Sequence, residues 1–347
     1  MPLNVAAQQF SRTVVNIQPL GNGFINDTYL VITDTKPFVL QKINRHVFPQ
    51  PEQIMANLTV LNQHLNQIND SQIILKIPQL LKTDNGHDFF CDDQGDYWRA
   101  LSYIANTESL ETISNLAQAE QVGYALGQFH RLTHNLDSAN LFDTLPGFHI
   151  TPGYLNDYLT VSGKSKVKKD PYCVDFITRY QSIVNDLEIA KEQGLLSVSV
   201  IHGDPKLNNF LFDKTSQRIV SLIDLDTVKP GLIHTDIGDC LRSCCHNLET
   251  DEFNLEIGQA LLTSYLKEMG TLLTDNDYFF LYPAIRLIPF ELGIRFYTDY
   301  LEGNRYFKVT ETSQNLMRAS AQFRLCANVM AQEVAIKDLI ERQAASM

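Results

Sequence analysis

The residues best suited to chemistry lie between Val200 and Asp226, where Val200-Ile-His-Gly-Asp-Pro-Lys-Leu-Asn-Asn-Phe-Leu-Phe212 is followed by Val220-Ser-Leu-Ile-Asp-Leu-Asp226. The ordered set His202-x-Asp204-x₄-Asn209, with Asp224 closing a second apolar run, supplies the groups that phosphoryl transfer needs. One carboxylate orients an attacking hydroxyl and takes its proton; an amide oxygen and a second carboxylate hold Mg²⁺ against the phosphates. Asp204 is the candidate base, and Asn209 and Asp224 are the candidate metal ligands. Lys206, two residues past the base, can neutralise charge on the moving phosphoryl group. Singly, each of these residues is as readily a turn or strand-end residue. The ordered set inside a strand-loop-strand frame is what points to function. Asp226 competes with Asp224, since both fall on one face of an extended segment. Asp224 is preferred because it comes first after the apolar run.

A second element lies upstream, in Leu20-Gly21-Asn-Gly23-Phe-Ile-Asn26-Asp-Thr28-Tyr. Glycines between two strands let backbone N–H groups approach phosphates, and Gly21, Gly23, Asn26 and Thr28 are the nucleotide candidates here. A plain hairpin turn is the competing reading. Lys42 lies on the third strand, Phe38 to Ile43, and is the candidate phosphate cation. Glu52, in the first turn of the next helix, is its candidate partner, although the helix dipole also favours an acid there. Backbone groups around Tyr103, in Trp98 to Ile104, are placed to hold an adenine.

The elements that must position these groups follow from patterning. Val14 to Leu20, Thr28 to Thr33, Phe38 to Ile43, Ile73 to Leu81 and Tyr97 to Ile104 read as strands, with turns at the glycines and at Asp34-Thr35-Lys36-Pro37. Pro51 opens a helix whose apolar positions are Ile54, Leu58, Leu61 and Leu65. Beyond Glu111 the pattern turns helical. Ile113 to Leu132 and Tyr172 to Leu187 are amphipathic, the latter closing near Gly194. The fold class is α+β, a small mixed sheet followed by a mostly helical part. The expected division is residues 1–105 for a nucleotide-binding lobe and 106–347 for a lobe with the catalytic loop, metal site and substrate site.

These motifs carry a resemblance. Residues 14 to about 310 resemble the aminoglycoside phosphotransferase/choline kinase superfamily, whose fold resembles protein kinases, with the same Asp-to-Asn spacing in the catalytic loop. The chain is most similar to N-acetylhexosamine 1-kinases, through Gly23 to Val31, Phe38 to Asn44, His202 to Asn209, Ile223 to Thr227, Gly238 to Arg242, and Glu291 to Gly303 with Tyr306-Phe307. The resemblance implies ATP and Mg²⁺ as cofactors and phosphorylation of the anomeric hydroxyl of GlcNAc or GalNAc. It implies that Arg295 and Tyr306 line the sugar pocket, and that Asp236 and Asp239 brace the catalytic loop. An Arg295 paired with Glu291 or Asp299 along a helix is the structural alternative. Many superfamily members carry His where this chain has Lys206, a departure that favours the sugar kinases. Rival acceptors are choline, an aminoglycoside or another sugar; a nucleotide-binding pseudokinase scaffold is the rival outside the class.

Composition sets the outer limits. The chain has 347 residues and a net charge of −12, which disfavours nucleic acid and anionic membranes as partners. Its six cysteines include no C-x-x-C pair, a pattern that fits reduced cytosolic thiols. No signal pattern and no run of roughly 20 apolar residues is found. The expectation is a cytoplasmic protein, a monomer or weak homo-oligomer, whose partner is a small molecule.

Overall fold

The computed structural model describes residues 2–21, 25–68 and 75–345. Gly23, one of the nucleotide candidates, lies outside them, as do Ile73 and Ile74 of an expected strand.

Helix α1 (Pro2–Gln8) precedes a six-stranded antiparallel sheet. Its strands are β1 (Val14–Pro19), β2 (Asp27–Thr33), β3 (Phe38–Lys42), β4 (Leu80–Leu81), β5 (Phe90–Cys91) and β6 (Tyr97–Ser102). The path runs β1-β2-β3-β6-β4, with β5 on β6. Both faces of the sheet's centre are covered. Val31, Phe38, Leu40, Trp98 and Ala100 pack with Ala6 and Ala7 of α1. Direct cross-strand partners share a face, so the opposite face carries the row Thr28, Gln41 and Arg99.

Helix α2 (Pro51–Gln67) follows β3, with proline in its first turn. Its buried residues Ile54, Met55, Leu58 and Leu61 join the large core built by the downstream helices. Asn57, 1% exposed, donates to the carbonyls of Phe142 and Val228 at 2.9 Å each, and its oxygen accepts from Phe142 N–H at 2.8 Å.

The rest is mainly helical: α3 (Leu116–Thr133), α4 (Thr151–Lys164), α5 (Pro171–Tyr180), α6 (Asp186–Glu192), α7 (Ile233–Cys245), α8 (Leu255–Met269), α9 (Asp275–Glu302), α10 (Gln314–Ala331) and α11 (Glu333–Ala344). Helix α9 starts on a reciprocal Thr274–Asp277 capping box and stops at Gly303 in a left-handed conformation. The single helix expected from Tyr172 onward is instead α5, a 3₁₀ stretch at Gln181–Asn185, and α6.

Short strands frame the motif region. β7 (Thr107–Ser109) pairs with β9 (Phe210–Asp213), which pairs with β10 (Ile219–Leu222). β8 (Ser199–Ile201) pairs with β11 (Lys229–Gly231). The α+β architecture expected from the sequence is the one the chain adopts. No helix among the described residues is long and apolar enough to cross a membrane.

Candidate active site

The loop from His202 to Asn209 joins β8 to β9, and its shape is fixed by buried polar groups. His202 Nε2–H donates to the Ile223 carbonyl at 2.9 Å, while its Nδ1 accepts from Asp204 N–H at 3.2 Å. That pattern requires a neutral ring, and burial indeed pushes its pKa down. Asp236, at the start of α7 and fully buried, accepts from the backbone N–H groups of His202 (2.7 Å) and Gly203 (2.8 Å). His130 of α3 lies 2.9 Å from the same carboxylate. Each such charge-assisted bond contributes about 1.5–3 kcal/mol. Gly203 has φ +87°, and a β-carbon there would meet the Thr227 carbonyl at 2.6 Å. The glycine of the motif is therefore obligatory on two counts.

Three candidate residues meet on this frame. Lys206 Nζ is ion-paired to Asp204 Oδ2. Burial alone would lower the lysine's pKa, but Asp204 and then Asp224 outweigh it, and the ammonium is strongly favoured. Asn209 Nδ2 donates to the Asp204 carbonyl at 2.7 Å, which leaves its amide oxygen without a hydrogen bond among the described residues.

Asp224 and Asp226 part company. The extended-segment reading placed them on one face; the structure does not. Asp224 takes a left-handed conformation (φ 63°, ψ 56°), and Leu225–Thr227 turn as a 3₁₀ helix. Asp226 becomes buried, 2% exposed, between Arg99 Nη2 and Asn26 Nδ2. Asp224 stays solvent-accessible on a concave surface and has no hydrogen-bond partner among the described residues. The protein mass around it raises its pKa to about 6, with Lys206 opposing and Asp226 and Asp204 adding to the rise. The backbone brings the two segments together, with Ile223 N–H donating to the Asn209 carbonyl at 2.9 Å, and a carboxylate and an amide oxygen are hard ligands of the kind Mg²⁺ takes.

The sheet contributes differently. Arg99 of β6, 1% exposed, donates to Gln41 Oε1 at 3.0 and 2.8 Å and pairs with Asp226. Its Nη1 is buried without a partner. Gln41 in turn donates to Thr28 Oγ1 at 3.1 Å. Asn26 bonds to Asp226 at 2.6 Å and accepts from Asn44 N–H at 2.9 Å. The side chains of Asn26 and Thr28 are thus engaged within the protein. Lys42 is one residue past Gln41 and so on the other face, beside Leu40 and Trp98. Its Nζ pairs with Asp96 at 2.8 Å, and it lines a cavity of about 590 Å³ with Asp27, Arg45, His46 and Lys308. It is not brought to the Asp204–Asp224 loop. Glu52 accepts instead from the Tyr97 hydroxyl. Gly21 has φ +69°, and Tyr103 lies one residue beyond β6.

A second set gathers around α9. The guanidinium carbon of Arg295 lies 4.9 Å from the Phe148 ring centre, 5.0 Å from that of Tyr154 and 5.7 Å from that of Phe307. Glu291, one turn earlier, is 3.9 Å away. Burial would lower the Arg295 pKa; Tyr154, Glu291, Tyr306 and Asp204 raise it. Asp299 is not its partner, because that carboxylate accepts the backbone N–H groups of Arg305, Tyr306 and Phe307 at 2.8–3.0 Å. Those bonds fix the segment carrying Tyr306, which is 48% exposed. Arg99, Phe148, His149 and Tyr154 were not singled out as site residues from the sequence; they reach the site through contacts far apart in the chain.

A model of the phosphotransferase enzyme family matches residues 16–271. Among solved structures, a microcompartment-associated aminopropanol kinase superimposes with a TM-score of 0.67 at 16% identity, over 97% of this chain and 98% of its own. An aminoglycoside phosphotransferase from Alicyclobacillus acidocaldarius gives 0.64 at 14% identity, over 99% and 96%. An amicoumacin kinase in complex with AMP-PNP and Ca²⁺ gives 0.63 at 14%, over 96% and 93%. At such identities the likeness establishes the fold, a protein-kinase-like arrangement with the small sheet first and the helical part second.

Proposed function

The chain belongs to the phosphotransferase enzyme family, and on that premise we propose that it moves the γ-phosphoryl group of ATP onto the anomeric hydroxyl of an N-acetylhexosamine, GlcNAc or GalNAc. The products are the sugar 1-phosphate and ADP. Residues 1–105 form the nucleotide lobe in this reading, and 106–347 the catalytic lobe. Asp204 orients the acceptor hydroxyl and takes its proton as the oxygen attacks phosphorus in line. Lys206, already paired with Asp204, offsets negative charge at the transferring group. Asn209 and Asp224 would hold Mg²⁺, which when bound with the nucleotide neutralises its β- and γ-phosphates. Backbone groups at Gly21, Asn26 and Thr28 would serve the phosphates, as would Gly23, which lies outside the described residues, and those at Tyr103 the adenine. Lys42 is the phosphate cation of the sequence reading; on the opposite face of the sheet Arg99 pairs with Asp226.

One observation carries the acceptor class: the charge of the surface beside Asp204. Arg295 is the cation there, and the nearby carboxylates are already engaged. Glu291 is bonded to His149 and Thr151, Asp239 to Arg242, and Asp299 to backbone. An amine acceptor, such as the aminopropanol or aminoglycoside of related kinases, would meet the cations Arg295 and Lys206, and the two carboxylates left to it, Asp204 and Asp224, are those this reading gives to the base and the metal. A neutral acetamido sugar offers oxygens to Arg295 and a ring face to Tyr306.

The test is an ADP-release screen over GlcNAc, GalNAc, glucose, galactose, choline and kanamycin, with products identified by ³¹P NMR. Turnover of the two acetamido sugars to a 1-phosphate is expected. Preference for choline or kanamycin would overturn the acceptor assignment and leave a kinase for another alcohol.

A further inference from the structure

His149 is a buried histidine that the chemistry above does not use. It lies two residues before α4 and is 8% exposed. Its φ is +63°, in the left-handed region that side-chain-bearing residues occupy at a cost, and such positions gather at functional sites. Its Nδ1 is 3.0 Å from Glu291 Oε1 and its Nε2 is 2.8 Å from the Gly203 carbonyl oxygen.

A carbonyl accepts and cannot donate, and so does a carboxylate. A neutral imidazole has one N–H and one bare nitrogen. A neutral His149 would therefore set a lone pair against an oxygen at hydrogen-bonding distance, at a side chain only 6% exposed. The remaining escape, a proton on Glu291, is opposed by that residue's surroundings. Its Oε2 accepts from Thr151 Oγ1 at 2.7 Å, and the Arg295 guanidinium is 3.9 Å from Oε1. His202 offers the contrast, since one of its nitrogens faces an N–H donor.

We propose that His149 is a standing imidazolium that positions the catalytic loop, holding the Gly203 carbonyl one residue before Asp204 and tying it through Glu291 to Arg295. The contacts form a chain from the acceptor surface to the base: 3.9 Å from Arg295 to Glu291, 3.0 Å to His149 and 2.8 Å to Gly203. The charged groups facing His149 are Glu291 and Arg295 from α9 and Asp239 from α7. Burial works against the extra proton; Glu291, aided by Asp239, outweighs both burial and Arg295, and the His149 pKa is raised. The Glu291 carboxyl is correspondingly held below its ordinary value, with burial outweighed by His149 and Arg295. A raised histidine pKa gives a contribution that is complete below the ordinary value of 6.5 and is lost as pH rises through the raised value.

His149 is a positioning residue, so the inference rests on Asp204 being the base, and its test has one arm that needs no turnover. Two-bond ¹H–¹⁵N spectra of the ¹⁵N-histidine-labelled full chain, from pH 6 to 9, read each ring's protonation. His149→Gln assigns the signal. Both His149 nitrogens are expected to stay protonated at pH 7, above the ordinary histidine value of 6.5. A neutral tautomer at pH 7 overturns the proposal, whether or not any acceptor is turned over.

The second arm uses the acceptor found by the screen. Glutamine keeps one donor, and His149→Gln is expected to lower kcat about 10- to 100-fold, with KM for ATP little changed. It should also remove an alkaline decline in kcat that the wild type shows. Unchanged kcat with an unchanged alkaline limb would sink the positioning role. If the variant fails to fold, His149→Asn, an amide at ease at positive φ, assigns the signal in its place and the wild-type spectra decide the matter. A wild type silent on every acceptor would count against the proposed function and leave the spectra standing.

Discussion

The loop from His202 to Asp226 and the sheet face that meets it are both rich in polar side chains, yet they use them in opposite ways. On the sheet, Thr28, Gln41 and Arg99 bond in a row that ends on Asp226, and Asn26 beside them bonds to the same carboxylate. On the loop, the Asp224 carboxylate and the Asn209 amide oxygen accept no hydrogen bond among the described residues. Satisfied groups bind parts of a protein together; unsatisfied ones, if their backbone is held rigidly, are available to something else. Here the rigidity comes from Asp236, His202 and Gly203 below the loop. The difference predicts which substitutions act on catalysis and which act on folding.

The largest effect belongs to the base. Asp204→Asn is expected to lower turnover about 10²- to 10⁴-fold while nucleotide still binds, measured by ADP release and by titration calorimetry. Near-normal turnover would remove Asp204 from the chemistry. The two later carboxylates give the sharpest contrast. Asp226→Ala strands Arg99 in the interior and should cost about 3–5 kcal/mol in urea unfolding. Asp224→Ala should change that stability by no more than about 0.5 kcal/mol and abolish Mg²⁺-dependent activity. If the pattern is reversed, the metal ligand and the structural acid have been exchanged.

Arg295→Ala comes next. It should raise KM for the acceptor about tenfold or more, a loss of about 1.4 kcal/mol, and leave KM for ATP nearly unchanged. A larger effect on ATP would place the guanidinium with the nucleotide. Lys42→Ala is expected to do least. A half-exposed pair such as Lys42–Asp96 is worth about 0–1 kcal/mol, so thermal melting and kcat/KM for ATP should barely move. A strong loss confined to ATP kinetics would restore Lys42 as a phosphate ligand.

What could be read from the sequence tracks how local the information is. The loop set Asp204, Lys206 and Asn209 is contiguous, and the small-sheet-then-helices order follows from periodicity. Lys42 was harder, because Phe38-Val-Leu40 is apolar on both sides. A strand covered on both faces shows no alternation to tell which way its next side chain turns. The register across β2, β3 and β6 supplies that direction, and with it Arg99. Asp224 and Asp226 look alike in an extended reading. Only the left-handed turn at Asp224 separates them, and nothing in Ile-Asp-Leu-Asp signals it. Phe148, His149 and Tyr154 depend on a helix more than a hundred positions later in the chain.

The bonding of Asn57 has a consequence for control. In protein kinases the helix after the third strand moves, and its movement sets activity. Here the helix after the third strand, α2, is tied to the segments around Phe142 and Val228 by one buried amide with three hydrogen bonds. Swinging it out would cost on the order of several kcal/mol in stranded polar groups before any apolar contact is counted. With those bonds in place, α2 is held against the segments around Phe142 and Val228 and does not swing on its own.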